Sequence, residues 1–456
     1  MNLTPKQGYW FAGLGLTVVL LASCNNGRDP AGEGSGSAQA QAQAQAPADI
    51  TAIPAELTFY NSTAPSESEE LFMAKYGNAI AKKFPNYKIK YHQNTGKGAS
   101  LADLIASGQL NIDIDISAAD ITYNSLIQFG LQDDISDLIK KYKFDLNRLE
   151  PNAVEVQRKF ANGGIYGIPF SVSTPILFYN KQIFDLFAQP YPKDGMTWDD
   201  VYSLAKALTR SQGGIQYRGF ASSFVHVLRF NQSSAPLVDL KTNKSLITAD
   251  KFKREFDNML QMYRIPGNEV PDISLSTQVS LFEKERTAAM MVHITRYAPA
   301  LWTKVQDFKD WDMAQMPQWK DMPGVGSQVS PYYFYQFKTS KSREAAFQVL
   351  MFIASDEFQQ HIMRQGYMSS LKDPSHLMKY LAEGEPLAKT QNLKALLPAK
   401  YAPSADIYRY SNLVEKELTG AAIEVLKNGT DTNTALRTAS DRADKAVADE
   451  LAKQGK

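Results

Sequence analysis

The sequence predicts a mixed α/β fold in which a mostly parallel sheet is covered by helices, and three observations carry that expectation. Between Glu56 and Asp120, segments of strand period and helix period alternate in the order β-α-β-α-β, the order of a parallel sheet with right-handed crossovers. From Glu56 onward the chain supplies roughly 400 residues, and its 44% hydrophobic and 21% charged content is that of an ordinary soluble protein with a sizeable core. The chain has one Cys, so internal disulfides are excluded and the fold must stand on that core. This length predicts two or three domains.

The first strand is "ELTFYN". A helix follows from near Ser66, with Phe72, Tyr76, Ile80 and Phe84 four apart and Pro85 as its stop. "YKIKYHQ" sets Tyr87, Ile89 and Tyr91 against Lys88, Lys90 and His92, which is strand alternation. "SLADLIASG" is a short helix closed by Gly108, and "NIDIDISAAD" alternates again with Ile112, Ile114 and Ile116 on one face. In open sheets of this kind ligands bind beyond the carboxyl ends of the strands. Asn61 with Ser62, Asn94 with Thr95, and Asp120 occupy those ends. Further on, Gly167-Ile168-Pro169 punctuates one strand and "TPILFYN" forms another. Thr197 with Asp200 three later makes a capping box for a helix striped by Val201, Leu204, Ala205 and Leu208. Trp198 at that helix start is expected to pack in the core rather than to act as a sugar platform.

The N-terminus carries a different signal. Trp10 to Ala22 is apolar and uncharged over about thirteen residues, too short to span a bilayer comfortably. Leu21-Ala22-Ser23-Cys24 follows and resembles the lipobox of bacterial lipoproteins, in which the Cys becomes the acylated N-terminus. The resemblance implies a signal peptide over 1–24 and an anchor at Cys24, and two acyl chains give stable membrane attachment. An ordinary secretory signal with a Cys beside its cleavage site is the alternative. Residues 25–54 are mostly Gly, Ser, Ala, Gln and Pro with almost no large apolar side chains. Such a stretch cannot offset its ordering entropy and is expected to be a flexible tether with a reach on the order of 30 Å.

The motifs taken together resemble bacterial extracellular solute-binding proteins that serve ABC importers, in particular the large sugar-binding branch. The residues that carry the resemblance are the lipobox, Tyr166-Gly167-Ile168-Pro169, Leu177-Phe178-Tyr179-Asn180-Lys181 with Phe184, and Thr197-Trp198-Asp199-Asp200. "LFEKERTAAMMV", "WDMAQMP" and "TSKSREAAFQVLMFIASDEFQQ" agree with later parts of the family pattern, although Glu285 stands where the family has Gly.

The resemblance implies a two-lobed, type II periplasmic-binding-protein-like α/β fold with three hinge crossings, near Ser171 to Pro175, Met290 to Thr295, and Ser330 to Gln336. It puts one lobe at 55–172 plus 294–331 and the other at 176–290 plus 336–456. It implies a carbohydrate, in particular an oligosaccharide, held between the lobes; delivery to ABC permease subunits; and a monomer lipid-anchored to the cell membrane, facing outward. The expected ligand contacts are Asn61, Ser62, Asn94, Asp120, Ser173, Asn231, His293, Arg296, Tyr332 and Tyr333. Among these, Asp120 suits paired sugar hydroxyls or, alternatively, caps a helix beginning at Ile121. His293 is more readily a satisfied hinge histidine. The tyrosines of "SPYYFYQF" suit a pyranose face, although alternation sends about half of them to the core.

Other classes find less support. A net charge of +1 with scattered Lys and Arg leaves no nucleic-acid footprint. Asp113 and Asp115 are better explained by strand alternation than as a glycosidase pair. No nucleophile elbow or phosphate loop is present, and five scattered His with one Cys make no zinc set. No enzymatic activity, cofactor or structural metal is therefore expected. Two alternatives remain open: a ferric-iron binder using the adjacent Tyr332 and Tyr333 as phenolate ligands, and an accessory protein that presents a ligand to a surface sensor.

Overall fold

The computed structural model describes residues 50–454 apart from 64, 271 and 306. The signal segment, Cys24 and most of the tether lie outside the described residues.

Beside two short two-stranded ribbons, strand alternation and buried apolar runs produce two large sheets. In chain order their strands are β1 (Ala55–Asn61), β2 (Tyr87–His92), β3 (Ile114–Ala118), β4 (Gly167–Ser173), β5 (Pro175–Asn180), β6 (Ala221–Ser222), β7 (Met290–Ile294), β8 (Trp311–Ala314) and β9 (Ser330–Gln336). The first sheet has the order β2-β1-β3-β9-β4 and the second β8-β5-β7-β6. β1 pairs parallel with β2 and β3, as the β-α-β-α-β order requires, whereas β9 runs antiparallel to both β3 and β4. Phe72, Tyr76, Ile80 and Phe84 are all buried, on a helical stretch that begins at Glu69 behind the Ser68 cap.

The helices that matter below are α1 (Ala119–Ser125), α2 (Pro151–Phe160), α3 (Trp198–Leu208), α4 (Phe224–Arg229), α5 (Asp250–Tyr263), α6 (Tyr297–Lys304), α7 (Arg343–Ile353), α8 (Asp356–Arg364) and α9 (Ser411–Asn428). Thr197 and Asp200 form the expected capping box at α3. Trp198 is buried, with its indole N–H donating to Gln232 at 3.0 Å.

Strand pairing corrects the expected division of the chain. β8 lies within the 294–331 stretch assigned to the first lobe, yet it pairs with β5 at the edge of the second sheet and buries Trp311, Met313 and Ala314. β7, expected to be a crossing, stays wholly within the second sheet between β5 and β6. α7 and α8 were expected in the second lobe. Their apolar faces, including Phe347, Leu350 and Phe358, instead bury in the core beneath the first sheet, where α7 packs on β4, β9 and β1. The chain therefore passes between sheets at Thr174, again between Ala314 and Ser330, and finally between Arg364 and Ser411.

One residue ties these passages together, through its main-chain carbonyl and its side-chain amide. Gln328 is 3% exposed. Its carbonyl accepts from the Thr174 hydroxyl at 3.3 Å, its amide oxygen accepts from the Ala405 N–H at 2.6 Å, and its amide nitrogen donates to the Asn231 carbonyl at 2.9 Å. All three passages meet there.

Candidate functional site

The three parallel strands end side by side, so the residues after them share one edge of the first sheet. The Ser62 N–H and hydroxyl donate to Asp115 at 3.0 and 2.8 Å. The Asn94 amide donates to the Ser62 carbonyl at 3.3 Å and accepts from the Gly96 N–H at 3.0 Å. Asn61 donates to Glu67 at 3.1 Å and accepts from the Thr63 N–H at 2.9 Å. These contacts fasten the strand-end loops to one another. Beneath them Asp115 is fully buried with its second carboxylate oxygen unpartnered. Burial pushes its carboxyl up to about 6, against the hydrogen bonds from Ser62.

Asp120 is not a helix cap. α1 begins at Ala119 with Ala118 in the cap position, because the backbone turns helical two residues earlier than expected. The Asp120 carboxylate instead pairs with Arg229 of α4, which belongs to the second sheet's side of the molecule. Arg229 also forks onto Glu415 of α9, with both N···O distances 2.5 Å. Burial opposes the arginine's charge, but Glu415 and Asp120 outweigh it and hold the group above its usual range. This triad walls a cavity of about 150 Å³ that is also lined by Val156, Phe230, Leu237, Gln328 and Tyr408. The wall combines carboxylates and a guanidinium with aromatic and aliphatic faces, the makeup of a small-molecule site.

The hinge positions gather around the passage at Thr174, which Gln328 ties to the cavity wall. Ser173 at the end of β4 shares a 2.9 Å hydrogen bond with Thr295 and accepts from the Arg296 N–H at 3.3 Å. His293 is buried and stacked on Tyr297 at 4.6 Å, and its Nδ1 accepts from the Ile294 N–H at 2.7 Å. Burial, then the neighbouring His226, pushes it down to about 3, so it is a neutral packed ring. The Arg296 guanidinium lies 3.8 Å over the Tyr332 ring and 4.7 Å from that of Tyr367.

Two expected contacts are corrected. Tyr333 is fully buried with its hydroxyl donating to the Ala153 carbonyl at 2.7 Å, because it alternates with Tyr332 onto the opposite face of β9. The adjacent tyrosines therefore do not converge on one ion, and among the described residues no cluster of His, Cys, Asp and Glu is placed to hold a metal. Asn231 closes the turn after α4, donating to Leu228 and Ala235 and accepting from Ala235, all at 2.9 Å. Its amide is fully engaged there.

Arg229, Gln328, Tyr408 and Glu415 were not anticipated. Arg229 stands two residues before Asn231 in "RFNQSS", but nothing local in the sequence marks a pairing with residues 109 and 186 positions away.

Residues 61–360 match the family described as bacterial extracellular solute-binding protein. Among solved structures, an ABC substrate-binding protein from Listeria monocytogenes in complex with cycloalternan superposes with a TM-score of 0.67 at 18% identity, covering 87% of this chain and 100% of that one. A Rhizobium etli sugar transporter in an open conformation gives 0.67 at 20% identity, with coverage of 85% and 98%. UgpB from Mycobacterium tuberculosis in complex with glycerophosphocholine gives 0.65 at 15%, with coverage of 87% and 99%. At these identities the likeness establishes the fold, a two-lobed one. The sn-glycerol-3-phosphate-binding periplasmic protein UgpB of Brucella abortus is 29% identical over 120 residues, or 26% of this chain. The alignment thus spans about a quarter, 27%, of that relative's length.

Proposed function

Since the chain belongs to the bacterial extracellular solute-binding protein family, we propose that it captures a polyhydroxylated solute, a carbohydrate, in the cleft between its two lobes and hands it to an ABC import permease. The observation that carries this reading is the cavity at the junction of the sheets. Asp120 of the first lobe meets Arg229 and Glu415 of the second across it, so a solute there touches both lobes at once. A ligand that contacts the closed arrangement better than the open one shifts the equilibrium toward closure. Closure is then what the permease senses. The cycloalternan-bound neighbour supports a hydroxyl-rich solute.

A thermal-shift screen of the Glu56–Lys456 chain against mono- and oligosaccharides and polyols tests the reading. A true ligand at about 100 times its dissociation constant adds about 2.7 kcal/mol of stability. No stabilisation by any hydroxylated solute would set the reading aside. Attachment through Cys24 is part of the proposal, and among the described residues no helix is long and apolar enough to cross a membrane. Cys24→Ala should leave the protein uncleaved or release it to the medium; a cleaved, membrane-bound variant speaks against the anchor.

A further inference from the structure

Two arginines stand where the sheets meet, Arg229 on the cavity wall and Arg296 at the start of α6 against Ser173, and they differ in one respect. Arg229 is compensated twice, by Asp120 and Glu415. Among the described residues Arg296 has no carboxylate within ion-pair distance. Its guanidinium is held between Tyr332 and Tyr367, and its Nη1 is shielded from solvent with no partner. A buried cation without a counter-charge is costly, and one stacked on ring faces keeps its hydrogen-bonding edge for a ligand in the guanidinium plane. The Glu67 carboxylate does not cancel it, being already matched by Lys75 at 4.0 Å.

We propose that Arg296 is a subsite for an oxyanion, a carboxylate or a phosphate monoester, carried by the solute whose hydroxyls occupy the cleft. This rests on the reading of the cleft as a solute site. The two are neighbours: Tyr332, directly under Arg296, also feels the charges of Asp120 and Arg229. Planar carboxylates and tetrahedral phosphates both match the fork of a guanidinium, so the chemistry shared by acidic sugars and sugar or polyol phosphates is what the site selects.

The test is calorimetric titration of the Glu56–Lys456 chain at constant ionic strength with two matched pairs, glucuronate against glucose and glycerol 3-phosphate against glycerol, and with maltotriose as a neutral oligosaccharide. In at least one pair the acidic member should bind tenfold or more tightly than its neutral partner, and the pair that shows this identifies the oxyanion. Arg296→Gln should abolish the preference, and Arg296→Lys should retain part of it. Equal binding within both pairs, a preference that survives in a folded Arg296→Gln, or binding of maltotriose alone would overturn the subsite while leaving the cleft in place. If Arg296→Gln does not fold, the wild-type pairs decide. Binding of none of the five probes would overturn both the subsite and the reading beneath it.

Discussion

Asp115 holds one carboxylate oxygen against Ser62 and leaves the other bare in the interior. Burial raises its folded value from 3.8 to about 6. The stability it contributes is therefore fully present below 3.8 and is lost as pH rises through 6. Asp115→Asn keeps an acceptor for Ser62 and has no charge to desolvate. Urea unfolding should show the variant gaining on the wild type by about 2 kcal/mol between pH 4 and pH 8, and an identical gap at both pH values would mean that Asp115 ionises freely. The buried histidines act in the opposite sense. His226 is pushed down to about 4 by burial and then by Arg229, and His293 to about 3. Their contribution is complete above 6.5 and disappears as pH falls through 4 and 3. His226→Asn with His293→Asn should therefore flatten the acid side of the stability profile between pH 6.5 and 4, and a profile as steep as that of the wild type would argue that other groups cause it. At this scale the strand-end positions Asn61, Ser62, Asn94 and Asp120 were legible, because a strand's period says where it ends. Their partners were not. The Arg229 to Glu415 fork joins two helices far apart in sequence, and no local pattern records it.

Among the elements, the contact between α3 and the chain after it is the tightest place for a substitution. A Cβ on Gly219 would lie 2.0 Å from the Ala205 carbonyl oxygen and 2.5 Å from its Cα, and neither backbone atom can move without shifting α3. Gly219→Ala should cost about 3 kcal/mol in urea unfolding; a cost under about 0.5 kcal/mol would show that the helix and the following strand slide apart easily. The α3 capping box is the milder case, and Thr197→Ala should cost about 1 kcal/mol there. Elements were the most legible level. Strand period found β1, β2 and β3, the apolar run "TPILFYN" found β5, and four-residue spacing found the first helical stretch. The "WDMAQMP" strand was found as well, but its sheet was not, since alternation gives the faces of a strand and not its neighbours. β8 thus came to the edge of the second sheet while family spacing put it in the first.

For the whole molecule, the two sheets are coupled by the Asp120–Arg229 pair and by Gln328. Asp120→Asn weakens the first and leaves the helix cap untouched, because Ala118 occupies the cap. Small-angle scattering of the Glu56–Lys456 chain without ligand should show a larger radius of gyration for the variant; an unchanged radius would mean that closure does not depend on this pair. Gln328→Leu leaves the Ala405 N–H and the Asn231 carbonyl unpaired in the interior and should cost about 2–4 kcal/mol. The family pattern gave the number of crossings and the place of the first, at Thr174, but not the others, because which strand returns to which sheet is decided by tertiary pairing.

That pairing also sets an order in time. β9 fills the gap between β3 and β4, with Tyr333 opposite Ser117 on one side and Pro169 on the other. The ribosome makes β9 only after every strand of the second sheet. Until Gln336 has been made, β3 and β4 present bare edges to each other, and the first lobe cannot close around its middle. A growing chain is thus kept from finishing its N-terminal half early. It stays threadable until most of its length exists, and for the same stretch of synthesis it is exposed to pairing with the wrong neighbour.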